Sequence, residues 1–372
     1  MRYCNRCVTP DTRPHIVFNE EGVCDACITS NKKNEGIDWD TRRKKLEEVL
    51  DKYRSKEPSR HDCIVPVSGG KDSTYQVYTL RNEFNMNPLA VTFAQCSITE
   101  LGQHNLQSLK DIGVDHILYT PNPRIYRKLF KEGFVRVGDP CWACHAGIHT
   151  TPIQIAVKFN IPLLVYGENS QMEYGGPADS RDISTTDRRW LEEYGLSGNR
   201  LDSMVNGDIP LCELKPYIYP SDQEIKRVGI TAIALGYYIK WDARKHLDIA
   251  LTKTNFKQSE EPYEGSWLTY ENLDGKFVGF HDYTMYLKYG FGRATTQASI
   301  DVRNDRLTRA EAVEIVKKYD GIFPQKYFKE FLDFVEMDEE EFWEVCDSFV
   351  NKKIFERDKD GKWIKKMEFR IS

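Results

Sequence analysis

The sequence lacks the long apolar runs of a membrane protein. No stretch approaches about 18 consecutive apolar residues, so we expect no membrane-spanning helix. The first residues, Met1-Arg2-Tyr3-Cys4, have no apolar run behind them, which argues against a secretory signal peptide. We therefore expect a cytoplasmic protein without a membrane partner.

The chain also lacks internal repeats, low-complexity runs and any segment rich in lysine and arginine. Its net charge is −5, from 52 basic and 57 acidic residues. Proteins bind nucleic acids largely by neutralising phosphates, so this mildly acidic balance argues against a nucleic-acid partner. With 372 residues, 40% of them hydrophobic, the chain is long enough for two or three folded units.

The pattern along the chain divides it into four segments. They are a cysteine-bearing head (1–30), a linker with one amphipathic helix (31–60), a segment of alternating strands and helices (61–250) and a mainly helical region for substrate or partner binding (251–372). In the third segment, short apolar runs predict strands at 62–67, 89–94, 116–120 and 163–167. Helical patterns between them indicate an α/β fold with a doubly wound parallel sheet.

Ten cysteines in a reducing compartment favour metal ligands or core residues over disulfides. The pairs Cys4/Cys7 and Cys24/Cys27 are separated by 16 residues, a spacing typical of a zinc ribbon. Four thiolates leave no open position on the ion, so this zinc site is expected to be structural. A third pair, Cys141 and Cys144, is compatible with a redox pair, with two ligands of a second metal that His145 would join, or with two cysteines in one helical turn.

A phosphate-binding loop is predicted at Ser68-Gly69-Gly70-Lys71-Asp72-Ser73, directly after an apolar strand and before a helix. Adjacent glycines let the backbone approach a phosphate, and the helix presents unpaired N–H groups to the anion. Lys71 adds a positive charge, whereas Asp72 would repel phosphate unless Mg²⁺ lies between them. The spacing fits neither the Walker pattern nor the dinucleotide fingerprint.

Two further stretches are candidates for the same site. Gly167 and Glu168 follow the fourth strand, where open sheets bind ligands, although a plain polar turn is an equal alternative. Lys288 and Arg293 flank glycines at alternate positions and are candidates to stabilise a pyrophosphate leaving group. The alternative there is a loop loosened by glycines and carrying surface charges.

The loop closely resembles that of the PP-loop ATP pyrophosphatases, whose signature Ser-Gly-Gly-x-Asp-Ser is matched by Ser68, Gly69, Gly70, Asp72 and Ser73. The resemblance implies cleavage of ATP between its α and β phosphates and transfer of AMP to a carbonyl or amide oxygen, which a nucleophile then displaces. It also implies that adenine is held near the end of the second strand, around Thr92 and Phe93.

The head, the loop, the central cysteine pair and the stretch around Lys288 together resemble the N-acetyl sugar amidotransferase family of bacterial surface-polysaccharide and flagellin-sugar synthesis. That resemblance implies a nucleotide-linked acetamido sugar whose acetamido oxygen is adenylated and replaced by ammonia, giving an acetamidino sugar. Ammonia would come from a separate pair of proteins similar to the glutaminase and cyclase of histidine synthesis. The head and the acidic C-terminal helices also offer surfaces for a homo-oligomer.

Two alternatives remain at this point. One is a PP-loop tRNA thiolase, because some sulfur-transferring relatives hold an iron–sulfur cluster with a Cys-x-x-Cys pair and one later cysteine. Cys141, Cys144 and Cys212 would supply those ligands here. The other alternative is a nucleotide-binding regulator without catalytic activity.

Overall fold

The computed structural model describes residues 1–57, 59–176, 188, 191–205, 209–367 and 370–371. Its centre is a five-stranded sheet in which every neighbouring pair is parallel, with the strand order β3-β2-β1-β4-β5. The strands are β1 Cys63–Pro66, β2 Pro88–Phe93, β3 Asp115–Tyr119, β4 Leu163–Tyr166 and β5 Thr231–Ala234. The predicted α/β fold with a parallel sheet is confirmed.

The sheet is covered on both sides, which explains why its strands are continuous apolar runs. Alternate side chains of a strand point to opposite faces, so Cys63 and Val65 join a core with Leu46 and Leu50, whereas Ile64 joins a separate core on the other face. The second core includes helical residues Ile153 and Ala156. Each face of the sheet therefore rests on its own layer of helices.

The helices occupy most of the remaining chain. They are α1 Asp25–Asn31, α2 Trp39–Tyr53, α3 Lys71–Tyr78, α4 Glu100–Ser108, α5 Pro123–Val137, α6 Trp142–Phe159, α7 Ser170–Tyr174, α8 Leu201–Met204, α9 Asp222–Val228, α10 Leu235–Tyr238, α11 Ala243–Lys253, α12 Val278–Tyr289, α13 Arg293–Arg303, α14 Arg309–Tyr319, α15 Phe328–Val335 and α16 Glu339–Phe349. Among the residues that the structure describes, none of these helices has the length and apolar character needed to cross a membrane.

The C-terminal region is mainly helical, as predicted. Phe280, Phe331 and Phe342 from α12, α15 and α16 are fully buried together, and the rings of Phe280 and Phe331 lie 4.1 Å apart. The same core continues into α5, so the C-terminal helices pack directly on the α/β segment. A short antiparallel hairpin, β6 Phe355–Arg357 and β7 Trp363–Lys365, follows.

The head also packs against the C-terminal region rather than projecting from the molecule. Its four cysteines share a core with Val302, Val313 and Val316 of α13 and α14. The Thr9 hydroxyl donates to Ser299 Oγ at 3.0 Å, and Arg309 Nε donates to the Cys4 carbonyl at 3.2 Å. The predicted segment boundaries at residues 30, 60 and 250 remain predictions.

The strand order reverses between β1 and β4, because the chain adds β2 and β3 on one side of β1 before returning to add β4 on the other. The loops after β1 and β4 therefore diverge at their carboxyl ends and leave a crevice between them, which is where open α/β sheets bind ligands. The loop after β1 is the predicted phosphate loop, and the loop after β4 begins with Gly167 and Glu168.

Candidate functional site

The phosphate loop forms a tight turn from β1 into α3. Gly70 N donates to Ser68 Oγ at 3.3 Å, and Ser73 Oγ donates to the Gly70 carbonyl at 3.0 Å. Gly69 has φ +83°, and a Cβ there would lie 2.7 Å from the Leu106 backbone. Glycine is therefore required at this position for its conformation and for space.

A cavity of about 140 Å³ lies over this loop. The loop residues 68–73 line one side, and residues 270–274, which precede α12, line the other. Thr74 N makes the first helical hydrogen bond of α3, to the Gly70 carbonyl at 3.0 Å. The N–H groups just before it are those that a helix leaves unpaired at its start, so the turn suits an anion.

Lys71 is the central cation of the cavity. Its side chain is 4% exposed, and its Nζ lies 2.8 Å from Asp72 Oδ2 and 2.5 Å from Glu271 Oε1. Burial alone would lower the pKa of the Lys71 ammonium, but the two carboxylates outweigh it and raise the pKa above its ordinary value. Lys71 is therefore charged, and Glu271 is a site residue that the sequence did not reveal.

Asp72 is held from its other side by a buried histidine. His246 Nε2 accepts from the Asp242 backbone N–H at 3.3 Å, so the ring proton lies on Nδ1, which donates to Asp72 Oδ1 at 2.7 Å. The ring of His246 stacks on Tyr75, with centroids 3.9 Å apart. Burial opposes ionisation of Asp72, but Lys71 and His246 lower the pKa of its carboxyl well below the ordinary range.

A third carboxylate, Glu168 in the loop after β4, is close enough to Asp72 for the two charges to interact. Burial first, and then the charge of Asp72, raise the pKa of Glu168 to about 7. A Cβ on Gly167 would lie 2.0 Å from Gln76 Nε2, so a side chain there would require Gln76 to move. Asp72 and Glu168 interact electrostatically, and carboxylate oxygens are the ligands that Mg²⁺ prefers, so these two residues could hold that ion.

Thr92 and Phe93, the two residues predicted to hold adenine, both contact other residues of the fold. The Thr92 hydroxyl donates to the Val67 carbonyl at 2.8 Å and accepts from His116 Nε2 at 2.8 Å. The Phe93 side chain is 3% exposed and packs among the rings of Tyr119, Tyr126 and Tyr217. Their assignment to adenine stays a prediction.

Lys288 and Arg293 lie in helices rather than in the flexible loop that the sequence suggested. Lys288 is in the last turn of α12, and Arg293 begins α13; only the short stretch 290–292 separates the two helices. Neither residue lines the phosphate-loop cavity in the described part of the chain. Lys288 Nζ donates to the Val137 carbonyl at 2.7 Å, and Arg293 makes a two-pronged ion pair with Asp282.

The four head cysteines form a closed cluster. All are fully buried, and their ligand atoms lie within 4.8 Å of one another. The Cys4 and Cys27 sulfurs are 3.9 Å apart, and those of Cys7 and Cys24 are 3.7 Å apart. A tetrahedron with metal–sulfur bonds of about 2.3 Å has edges of roughly 3.8 Å, so the cluster has the dimensions of a four-thiolate metal site.

The predicted site of Cys141, Cys144 and Cys212 is not assembled in the described part of the chain. Cys144 is buried in the aromatic core beside α5, whereas Cys212 is exposed on a short 3₁₀ turn. The potential ligand group that includes Cys141 consists of Asp139, Cys141 and His281. The sequence could not indicate His281, because it lies 140 residues away on α12.

Comparison with known proteins gives partial matches. Residues 252–368 match the sequence model described as LPS biosynthesis protein WbpG-like, C-terminal domain. An uncharacterized protein of Methanocaldococcus jannaschii is 30% identical over 143 residues, which is 38% of this chain and half the length of that relative. The structure of NMN synthetase from Francisella tularensis covers 79% of this chain and 96% of its own, with 13% identity and a TM-score of 0.32, a likeness too distant to bear on function.

Proposed function

We propose that this protein is an ATP-dependent, AMP-forming amidotransferase that converts the acetamido group of a nucleotide-linked sugar into an acetamidino group. The observation that carries the proposal is the arrangement of Lys71, Asp72 and Glu168 at the reversal point of the sheet, beside a tight glycine turn. The turn and Lys71 would bind the phosphates of ATP. Asp72 and Glu168 would hold Mg²⁺, which neutralises phosphate charge when bound.

A second cavity, of about 340 Å³, adjoins the first and supports a separate acceptor substrate. Residues 271–273 line both cavities, so an acceptor bound in the second would approach the phosphates in the first. Lys276 and Lys326 both contact the ring of Tyr327, at 5.8 and 5.2 Å from its centroid. Two cations beside an aromatic ring suit the diphosphate and the base of a sugar nucleotide.

The class of acceptor is supported by the match of residues 252–368 to a lipopolysaccharide-biosynthesis domain, because most of the residues that line the second cavity lie in that range. In the proposed reaction the acetamido oxygen attacks the α-phosphorus of ATP and pyrophosphate leaves. Ammonia then adds to the activated carbon, and AMP leaves with the former acetamido oxygen. We propose that the ammonia comes from a separate glutaminase and cyclase pair, and that the head cluster holds a structural Zn²⁺.

The test uses a nucleotide-linked acetamido sugar labelled with ¹⁸O in its acetamido group, together with ATP, Mg²⁺ and ammonium. The expected products are pyrophosphate and AMP carrying one ¹⁸O atom, with an acetamidino sugar. ADP with inorganic phosphate, or AMP without the label, would contradict adenylation of the acetamido oxygen. Asp72→Ala is expected to abolish pyrophosphate release.

The acceptor cavity is tested with Lys326→Ala. The variant is expected to raise the KM for the sugar nucleotide about tenfold and to leave the KM for ATP unchanged, because one charged contact to a phosphate is worth about 1–2 kcal/mol. Lys329→Ala is the matched control, since Lys329 is exposed nearby and does not line the cavity. An equal change of the KM for the sugar nucleotide in both variants would show that it does not bind in this cavity.

A further inference from the structure

Three potential metal ligands converge where α12 crosses the turn between α5 and α6. The ligand atoms of Asp139, Cys141 and His281 all lie within 4.8 Å of one another. His281 Nδ1 is 2.8 Å from Asp139 Oδ1, and the same oxygen accepts from the Cys141 backbone N–H at 2.9 Å. His145 Nδ1 contacts the other Asp139 oxygen at 3.5 Å.

The backbone around this group is closely fixed. Gly138 caps the C-terminal end of α5 with a φ of +58°, and Asp139 N then donates to the Gly133 carbonyl at 3.0 Å. A Cβ on Gly133 would lie 2.4 Å from the Asp139 carbonyl oxygen, so the turn rests directly on α5. Lys288 Nζ binds the Val137 carbonyl and so joins α12 to the end of α5. The ligands are therefore held by three packed helices.

We propose that Asp139, Cys141 and His281 bind a divalent cation of the zinc class, at a site separate from the head cluster. A thiolate, an imidazole and a carboxylate form a mixed donor set that suits Zn²⁺. It does not suit Mg²⁺ or Ca²⁺, which prefer oxygen ligands. Three protein ligands leave a fourth position for water, as in zinc sites with chemical roles and unlike the closed head cluster.

The surroundings meet two further requirements of such a site. The side chains of Asp139 and His281 are 23% and 22% exposed, so an ion has a path of entry from solvent. His145 contacts Asp139 from outside the group and serves to orient the carboxylate, as partners of metal ligands commonly do. Cys144, one turn further along α6, is buried in the aromatic core and takes no part.

The experiment is a metal count on the full chain after removal of metals with a chelator and reloading with Zn²⁺. We expect two Zn²⁺ per wild-type chain, and one per chain in Cys141→Ser and in His281→Ala. Cys144→Ser is the matched control and should keep both ions. The one Zn²⁺ that remains in each variant would show that the head cluster is intact. Thermal unfolding would show whether the rest of the chain is folded.

A single Zn²⁺ in the wild-type chain would overturn the proposal. Loss of the second ion in Cys144→Ser would also overturn it, because the ion would then belong to the Cys-x-x-Cys pair. If a variant fails to fold, Co²⁺ titration of the wild-type chain decides. The second equivalent should add a thiolate-to-cobalt absorption of roughly a quarter the intensity of the four-thiolate head, and its absence would contradict the assignment. These outcomes do not depend on the sugar reaction proposed above.

Discussion

Lys71→Met removes the positive charge that pairs with two carboxylates in the phosphate-loop cavity. The substitution keeps an unbranched side chain of similar length but leaves Asp72 and Glu271 facing each other without a positive charge. Removing one partner of a buried ion pair costs about 3–5 kcal/mol. Here the two carboxylates are 34% and 24% exposed and retain some hydration, so we expect a loss of about 2 kcal/mol in the free energy of unfolding.

The assay is a double-mutant cycle of Lys71→Met with Glu271→Gln, read by urea unfolding. Because the amide has no charge to leave unpaired, the double variant should recover part of the loss, with a coupling energy of about 1–2 kcal/mol. The matched control is Lys276→Met with Glu330→Gln, a pair at the same 2.5 Å distance but 30% and 50% exposed. That pair should couple by less than about 1 kcal/mol. Equal coupling in both cycles would refute the claim that burial makes the Lys71 pair strong.

Three other predictions concern the loop, its histidine and the head. Gly69→Ala should destabilise the fold and abolish ATP binding measured by calorimetry, because its Cβ would clash with the Leu106 backbone. Gly113→Ala has a similar positive φ but open space around it, so its free energy of unfolding should fall by only about 1 kcal/mol from backbone strain. Equal stability losses in the two variants would show that the clash at Gly69 is not decisive. His246→Phe keeps the ring on Tyr75 but removes the hydrogen bond to Asp72, so pyrophosphate release should fall about tenfold with a stability loss of about 1–2 kcal/mol; an unchanged rate would contradict a role for that bond. Removing the metal proposed for the head with a chelator should lower the melting temperature of the whole chain, because the four cysteines share a core with α13 and α14. An unchanged melting curve after chelation would contradict this.

Local patterns in the sequence were sufficient to predict four of the five strands of the sheet. The four predicted strands fall on β1 to β4 with ends shifted by at most one residue. β5 was missed, because Thr231–Ala234 is a run of only four residues with two alanines. The helix predicted to follow the phosphate loop is α3, which ends at Tyr78 and continues as a π-helical turn at Thr79–Glu83. Propensity alone does not distinguish these two hydrogen-bond patterns.

Site residues could be predicted only where they lie close together in one short segment of the sequence. The loop from Ser68 to Ser73 is contiguous and has a recognisable pattern, and so do the head cysteines. Glu271 and His246 reach Lys71 and Asp72 from positions 200 and 174 residues further along the chain, a separation at which one sequence carries no pairing signal. The alternating glycines near Lys288 suggested a flexible loop, but Gly290 is the left-handed cap that ends α12.

The position of residues 270–274 in the cavity wall limits how the protein can be divided into fragments or combined into chimeras. They come from the region that matches a separate domain model, yet they form one wall of the phosphate-loop cavity and place a carboxylate on its lysine. A fragment ending at residue 250 would retain the glycine turn but present an open groove. Exchanging the C-terminal region between relatives would therefore also replace one wall of the phosphate-loop cavity. A chimera should therefore take residues 68–73 and residues 270–274 from the same parent.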